Sequence, residues 1–314
     1  MIAKSIRSTG VASRLYVRTP LAALAMLAAL QTVAVASEVF AAAGQAGSRP
    51  TTYSFKQIDY PGATGTYVYA VNDQDEVVGY YTGAACSQTS CGFTERNGKF
   101  SSIECALENA TDFFDISNKN QIVGTYSYYG GVHGFIWEGN SSCFDIVDPS
   151  GASYTEAWGV NDSGQLVGFY SDSSGNYDGF LYVNGVYTTV DCPGEADTLA
   201  YGISDSGVIV GEDANSTAGP FSGFAYRSGR CTMINYPGAS STEAKGINKA
   251  SQISGVFSDS AGTHGFVKTG TSYQEIDYPG ATTTLGYHLN DKGQVAGWFT
   301  DSAGANHGFV ATPQ

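Results

Sequence analysis

An all-β fold, a six-bladed propeller of four-stranded blades whose last blade is completed by the N-terminal strand, is what this sequence predicts. Composition is the first ground. The 314 residues include 40 Gly and 21 Tyr but only 3 Met, and Asp, Glu, Lys and Arg make up 14%, against roughly 25% in an ordinary globular domain. Strands and turns use glycine, β-branched and aromatic residues, whereas helices favour Ala, Leu, Glu and Lys. Repetition is the second ground. An apolar-apolar-Gly landmark ends at Gly79, Gly124, Gly168, Gly211, Gly255 and Gly297, at spacings of 45, 44, 43, 44 and 42, and a Gly-Phe landmark begins at Gly92, Gly134, Gly179, Gly223, Gly265 and Gly308. A period in the low forties fits a four-stranded blade. The third ground is the hairpin signal Asn-Gly at Asn97-Gly98 and Asn184-Gly185, which favours a type I′ turn between antiparallel strands.

In chain order, residues 1–36 read as a secretory signal peptide. Lys4, Arg7, Arg14 and Arg18 form a basic leader, Leu21 to Ala36 is apolar, and Ala34-Val35-Ala36 suits cleavage. An apolar stretch of 16 residues interrupted by Gln31 is short of the roughly 20 a spanning helix needs, which argues against a membrane anchor, and no later segment is apolar enough for a span to be expected after its removal. This segment carries four basic and no acidic residues, so losing it takes the formal charge from −14 to −18. So acidic a chain opposes phosphates, and nucleic acid is not an expected partner. A secreted or periplasmic monomer with no cofactor is expected. Residues 37–52 read as a linker and 53–314 as one propeller domain.

The segment Ile58-Asp59-Tyr60-Pro61-Gly62-Ala63 returns as Val190-Asp191-Cys192-Pro193-Gly194, Ile234-Asn235-Tyr236-Pro237-Gly238-Ala239 and Ile276-Asp277-Tyr278-Pro279-Gly280-Ala281. In the third repeat, Thr155–Asn161, Gln165–Tyr170, Gly179–Val183 and Val186–Asp191 read as four strands. The Asn-Gly hairpin joins the last two, so the blade ends at Ile-Asp and Tyr-Pro-Gly-Ala is the crossover to the next. This phasing leaves Tyr53–Asp59 as an orphan outer strand and the last repeat without one. The first strand is therefore expected to close the ring, removing free edges. An open solenoid ranks behind, because neither end shows a polar capping repeat.

The recurring Asn-Asp-x-Gly-Gln, apolar-apolar-Gly and His-Gly-Phe elements, as in Asn161-Asp162-Ser163-Gly164-Gln165, Asn290-Asp291-Lys292-Gly293-Gln294, His133-Gly134-Phe135, His264-Gly265-Phe266 and His307-Gly308-Phe309, resemble the bacterial extracellular HAF-repeat family. The resemblance covers 53–314. Gly stands where the family's name has Ala, and Cys91, Asp178 and Ser222 replace the His in the other repeats. It implies a secreted repeat protein and brings no activity to carry over.

Six cysteines in a secreted chain suggest disulfides. Cys86–Cys91 is the expected local bridge. Cys105–Cys143 and Cys192–Cys231 would be equivalent links between successive blades, although the positions lie five residues apart along the repeat, roughly 17 Å in a strand, which strains disulfide reach. Metal ligation is not expected, because no Cys-x-x-Cys or His/Cys cluster has zinc spacing.

The strand after each crossover is expected to be innermost, so phase-equivalent residues ring the axis. One ring is Thr66, Thr111, Thr155, Thr198, Thr242 and Thr284. At the opposite end lies Asn72, Ser117, Asn161, Ser204, Asn248 and Asn290. The Thr ring shares its face with the crossovers and the longer loops that carry Asp172, Asp259 and Asp301, where binding residues concentrate. The candidate binding site is this face, with Asp112, Glu156 and Glu243 beside the threonines and Tyr60, Tyr236 and Tyr278 on the crossovers. A plain structural role competes at each position. Thr near strand ends bonds local backbone, Asp-Ser-x-Gly forms Asx turns, and Tyr is a good strand former as well as a surface for sugars.

The repeated His133, His264 and His307 point to a hydrogen bond made in each blade rather than to catalysis. Asp115 and His288 break the repeat, which elsewhere has Ala70, Gly159, Gly202 and Gly246. They suggest an acid–base pair, but blades two and six are not neighbours. No nucleophile elbow or phosphate loop is present. The sequence thus favours a non-catalytic propeller that binds a carbohydrate or another extracellular polymer or protein. A polysaccharide-acting enzyme with Asp112, Glu156 and Glu243 as acids is the second reading, and an envelope scaffold the third.

Overall fold

The structure is a computed structural model that describes residues 51–103, 110–128, 130–139, 145–146, 148–171, 175–192, 197–214 and 220–314. The expected signal peptide, most of the linker, and Cys105, Cys143 and Asp172 lie outside these residues. Within them, 24 strands form six four-stranded antiparallel sheets, and no helix is long and apolar enough to cross a membrane. In blade 3 the strands Thr155–Val160, Leu166–Ser171, Tyr177–Val183 and Val186–Val190 follow one another outward from the axis. In blade 6 the fourth place is taken by Tyr53–Ile58, antiparallel to Asn306–Pro313, with Tyr53 opposite Pro313 and Ile58 opposite Gly308.

Two glycine positions explain the repeat. The inner strand of every blade has a register shift, in blade 3 between Ala157 and Gly159 and in blade 5 between Ala244 and Gly246. Beside it an inner-strand carbonyl is driven against the apolar-apolar-Gly glycine. A Cβ on Gly168 would lie 1.9 Å from the Glu156 carbonyl oxygen, and one on Gly255 2.1 Å from that of Glu243. Only glycine fits such an approach. The Gly-Phe glycine makes room for the next blade, since a Cβ on Gly92 would meet the Phe113 ring at 2.7 Å. The phenylalanine after it fills the blade, and Phe93, Phe135, Phe180, Phe224, Phe266 and Phe309 are all at most 1% exposed. The Asn-Gly hairpins have left-handed residues at both centres, φ 50° and 85° at Asn184 and Gly185, as a type I′ turn requires.

Disulfides join Cys86 to Cys91 and Cys192 to Cys231. The second corrects the distance argument, because its Cα atoms are 5.7 Å apart. That count assumed level, extended outer strands. Cys192 instead lies beyond its strand on the crossover, where the chain has dipped into the core between blades, and it is 2% exposed. At other interfaces the same two positions hold an aromatic pair: Tyr60 with Phe100, Tyr236 with Tyr273 and Tyr278 with Phe55, at 5.3–5.4 Å and 73°. The disulfide replaces that contact.

Candidate functional site

The twist of the inner strands sends alternate residues between blades and toward the axis. The threonines belong to the first set and are 0–3% exposed. The Oγ1 atoms of Thr66, Thr198, Thr242 and Thr284 accept the backbone N–H of Tyr60, Cys192, Tyr236 and Tyr278 at 2.9, 3.4, 3.0 and 3.1 Å, so the ring clamps each crossover to the next blade. Thr111 Oγ1 donates to Gln88 Oε1 at 3.3 Å. Thr155 Oγ1 is buried without a partner, because the crossover residue facing it is Pro149, which has no N–H. The crossover tyrosines are likewise committed. Tyr60 stacks on Tyr81, Tyr236 on Phe257 and Tyr278 on Phe299, each at 3.6 Å and within 6° of parallel.

The axis-facing set is different. Asp112, Glu156 and Glu243 are only half-buried. Glu156 accepts a short hydrogen bond from Tyr154 and a second from Trp158 Nε1 at 2.5 Å. Glu243 Oε2 lies 2.8 Å from Lys245 Nζ, and Glu212 Oε2 lies 3.6 Å from the same ammonium. Glu212 also accepts Tyr201 Oη at 2.7 Å.

Burial sets the proton affinities of these groups. It pushes Asp112 up to about 6, opposed by a hydrogen bond from Ser90 and reinforced by the charge of Glu156. It raises Glu156 and Glu212 as well. Burial works against ionised Glu243 too, but the Lys245 ammonium outweighs it and holds that carboxyl below the usual range. Lys245 in turn is held above the ordinary lysine range despite its burial, by Glu212 and Glu243.

Two residues further along each inner strand, Tyr69, Phe114, Trp158, Tyr201, Lys245 and Tyr287 meet across the axis. Phe114 stacks on Trp158 at 4.2 Å, and Tyr69 lies 4.4 Å from Tyr287. Lys245 Nζ sits 3.5 Å from the Tyr201 ring centre, a cation–π contact. The space left between this layer and the residues beneath is about 10 Å³, at most one water. These side chains therefore fill the axis at mid-height, and on the Thr-ring side the carboxylates of Asp112, Glu156 and Glu243, two residues earlier on their strands, stand over an aromatic floor.

The comparisons with known proteins speak to the fold alone. No family model and no curated protein matches the chain. Among solved structures it is similar to an arginine-to-alanine mutant of AofleA from Arthrobotrys oligospora, at 12% identity over 82% of this chain and 86% of that one, with TM-score 0.52. It is also similar to the beta-propeller domain of the Trilobed protease from Pyrococcus furiosus, at 9% identity over 80% and 79%, TM-score 0.51. A third similar structure is TolB from Acinetobacter baumannii, at 8% identity over 81% of this chain and 64% of that one, TM-score 0.54. At such identities the shared feature is the propeller.

On the opposite face, Asn72, Asn161, Asn248 and Asn290 hold the tight turns, each Oδ1 accepting two backbone N–H groups at 3.0–3.1 Å. Beneath them His288 Nε2 lies 3.4 Å from Asp115 Oδ1. This corrects the expectation that blades two and six cannot bring the pair together. Neighbourhood around the ring is not required, because both side chains meet at the axis. Asp115 is itself tied to the backbone N–H of Ile116 and Val160 at 2.8 and 2.9 Å. A cavity of about 50 Å³ beside His288 opens on this face, so it holds a few atoms.

The repeated histidines behave as expected. His133 Nδ1 meets Asp148 at 2.6 Å, His264 meets Asp277 at 2.7 Å, and His307 meets Asp59 at 2.8 Å. Asp259 and Asp301 make Asx turns, their Oδ1 accepting the N–H of Ala261 and Ala303 at 2.6 and 2.8 Å. Sequence reading missed the floor residues, Glu212 and Lys245. Phase would have found the floor, since those six positions each lie three residues beyond the threonine of their strand.

Proposed function

We propose that the protein is a secreted, non-catalytic propeller that binds an extracellular carbohydrate in the axial basin on its Thr-ring face. The observation that carries the reading is the placing of Asp112, Glu156 and Glu243 above a floor that includes the half-buried rings of Trp158 and Tyr287. Carboxylates with fixed partners accept hydroxyl hydrogens, and aromatic faces take the apolar face of a sugar ring. Secretion is supported by the basic and apolar leader, by two disulfides and by the resemblance to extracellular HAF-repeat proteins. A glycan array probed with the mature protein, followed by a reducing-end assay on each glycan that binds, tests this. Binding without new reducing ends is expected. Failure of every glycan to bind refutes it and leaves a protein partner or an envelope scaffold.

One observation favours a second reading, a hydrolase or lyase acting on polysaccharide. A carboxyl pushed up to about 6, Asp112, shares the basin with Glu243, which is held ionised by Lys245. Acid and base with separated proton affinities are what such chemistry uses. Release of new ends that Asp112→Asn abolishes would establish it.

A further inference from the structure

Blade 5 departs from its sister blades at one place outside the basin. All three histidine blades set an imidazole Nδ1 against the aspartate that follows the outer strand. The residue two positions before that aspartate differs: Ile146 in blade 2, Gln57 in blade 6 and Glu275 in blade 5. In blade 6 the Gln57 amide donates to Asp59 Oδ2 at 2.7 Å and lies 3.1 Å from His307 Nδ1, so a neutral group completes the contact. In blade 5 Glu275 Oε1 lies 3.8 Å from His264 Nδ1, Asp277 Oδ2 lies 2.7 Å from it, and Asp259 Oδ1 stands 3.7 Å from Nε2 on the ring's other side. Three carboxylates thus surround one imidazole where the sister blades have two or one. One ligand atom from each of His264, Glu275 and Asp277 falls within 4.8 Å of the other two. Within this group Asp277 Oδ1 is moreover buried with no hydrogen-bond partner.

Adjacent like charges are unfavourable without a cation, and a cation with ligands at about 2 Å draws its donor atoms to roughly 3–4 Å from one another. The existing separations need only a small contraction to reach that spacing. An imidazole with two carboxylates selects a borderline first-row ion over calcium or magnesium, which prefer oxygen alone.

We propose that His264, Glu275 and Asp277 bind a divalent zinc-class ion at the rim of blade 5. The ion takes the place of the proton between His264 and Asp277, and the proton leaves to solvent. The ligands lie at positions i, i+11 and i+13 on two strands and a crossover, which is why a search for compact cysteine and histidine motifs passes over them.

The test is calorimetric titration of the mature protein with zinc alone at pH 7, repeated on variants. One site is expected in the parent. Glu275→Gln, which installs the blade 6 residue and keeps the fold, should weaken binding at least tenfold. His264→Asn should abolish binding, and His307→Asn should leave it unchanged. Cobalt added to the parent should give the visible absorption of a low-symmetry site, and Glu275→Gln should change it. The proposal is overturned by no zinc uptake at millimolar metal, by Glu275→Gln binding as the parent does, or by His307→Asn removing the site as fully as His264→Asn. None of these outcomes depends on glycan binding.

Discussion

Single atoms decide which candidate residues are structural. Thr242 Oγ1 holds the Tyr236 N–H, whereas Thr155 Oγ1 faces a proline crossover and holds nothing. Replacing a hydroxyl that caps a buried N–H costs about 1–3 kcal/mol, and replacing an orphaned one costs little. Thr242→Val is therefore expected to lower unfolding free energy by about 1–2 kcal/mol, and Thr155→Val to leave it unchanged or raise it, as measured by chemical denaturation. Proton affinity is also decided at this scale. Asp112 is raised in the folded state from 3.8 to about 6 by burial, so the native state binds the proton more tightly than the unfolded chain. Its contribution to stability is present below pH 4 and lost as pH rises to 6. His307 is raised as well: burial opposes its charge, and Asp59 and Asp301 outweigh that. Its stabilisation is full below the unfolded value of 6.5 and fades as pH climbs through the higher folded value. Denaturant midpoints are expected to fall between pH 4 and 6, with a shallower slope in Asp112→Asn.

At the scale of strands and crossovers, one interface contact is made in two chemical forms. Tyr60 on Phe100 and Cys192 bonded to Cys231 occupy matching positions. A disulfide closing a separation of 39 residues stabilises by about 2–4 kcal/mol through chain entropy. Cys192→Ala with Cys231→Ala should lose about that much. Cys192→Tyr with Cys231→Phe should recover part of it by restoring the aromatic pair, and calorimetric unfolding under non-reducing conditions compares the two. The strands themselves were legible in the sequence because glycine is irreplaceable at two points of each blade. The carbonyl pressed on Gly168 and the ring pressed on Gly92 keep the repeat visible while most other positions drift. The disulfide was legible as a pairing and misjudged as a distance, because residue counting along strands does not register a crossover dipping into the core.

For the whole molecule, closure and the axis matter. Tyr53–Ile58 pairs with Asn306–Pro313 along six residues, and Phe55 and Tyr53 pack on the last core cluster. Deleting Tyr53–Asp59 is expected to lower the unfolding temperature by 10 °C or more and to promote association through the exposed edge. An unchanged transition would show that the strand does not clasp the ring. The axis was the least legible part. Asp115 and His288 stand out against Ala70 and Gly159, but their contact spans 173 residues and crosses the centre of the ring, which a one-dimensional phase does not encode. The plug of five aromatics and Lys245 was hidden for a related reason. Each member is an unremarkable strand residue in its own blade, and only the sixfold convergence makes it a floor.

That floor and its carboxylate wall make the Thr-ring basin the place where a ligand is expected. The direct measurement is calorimetric affinity for the best glycan on the array, compared between the parent protein, Glu243→Gln and His288→Asn. Glu243→Gln should weaken binding at least tenfold while His288→Asn, on the far side of the plug, leaves it unchanged. Parent-like affinity in Glu243→Gln, or loss of binding in His288→Asn alone, would contradict the account.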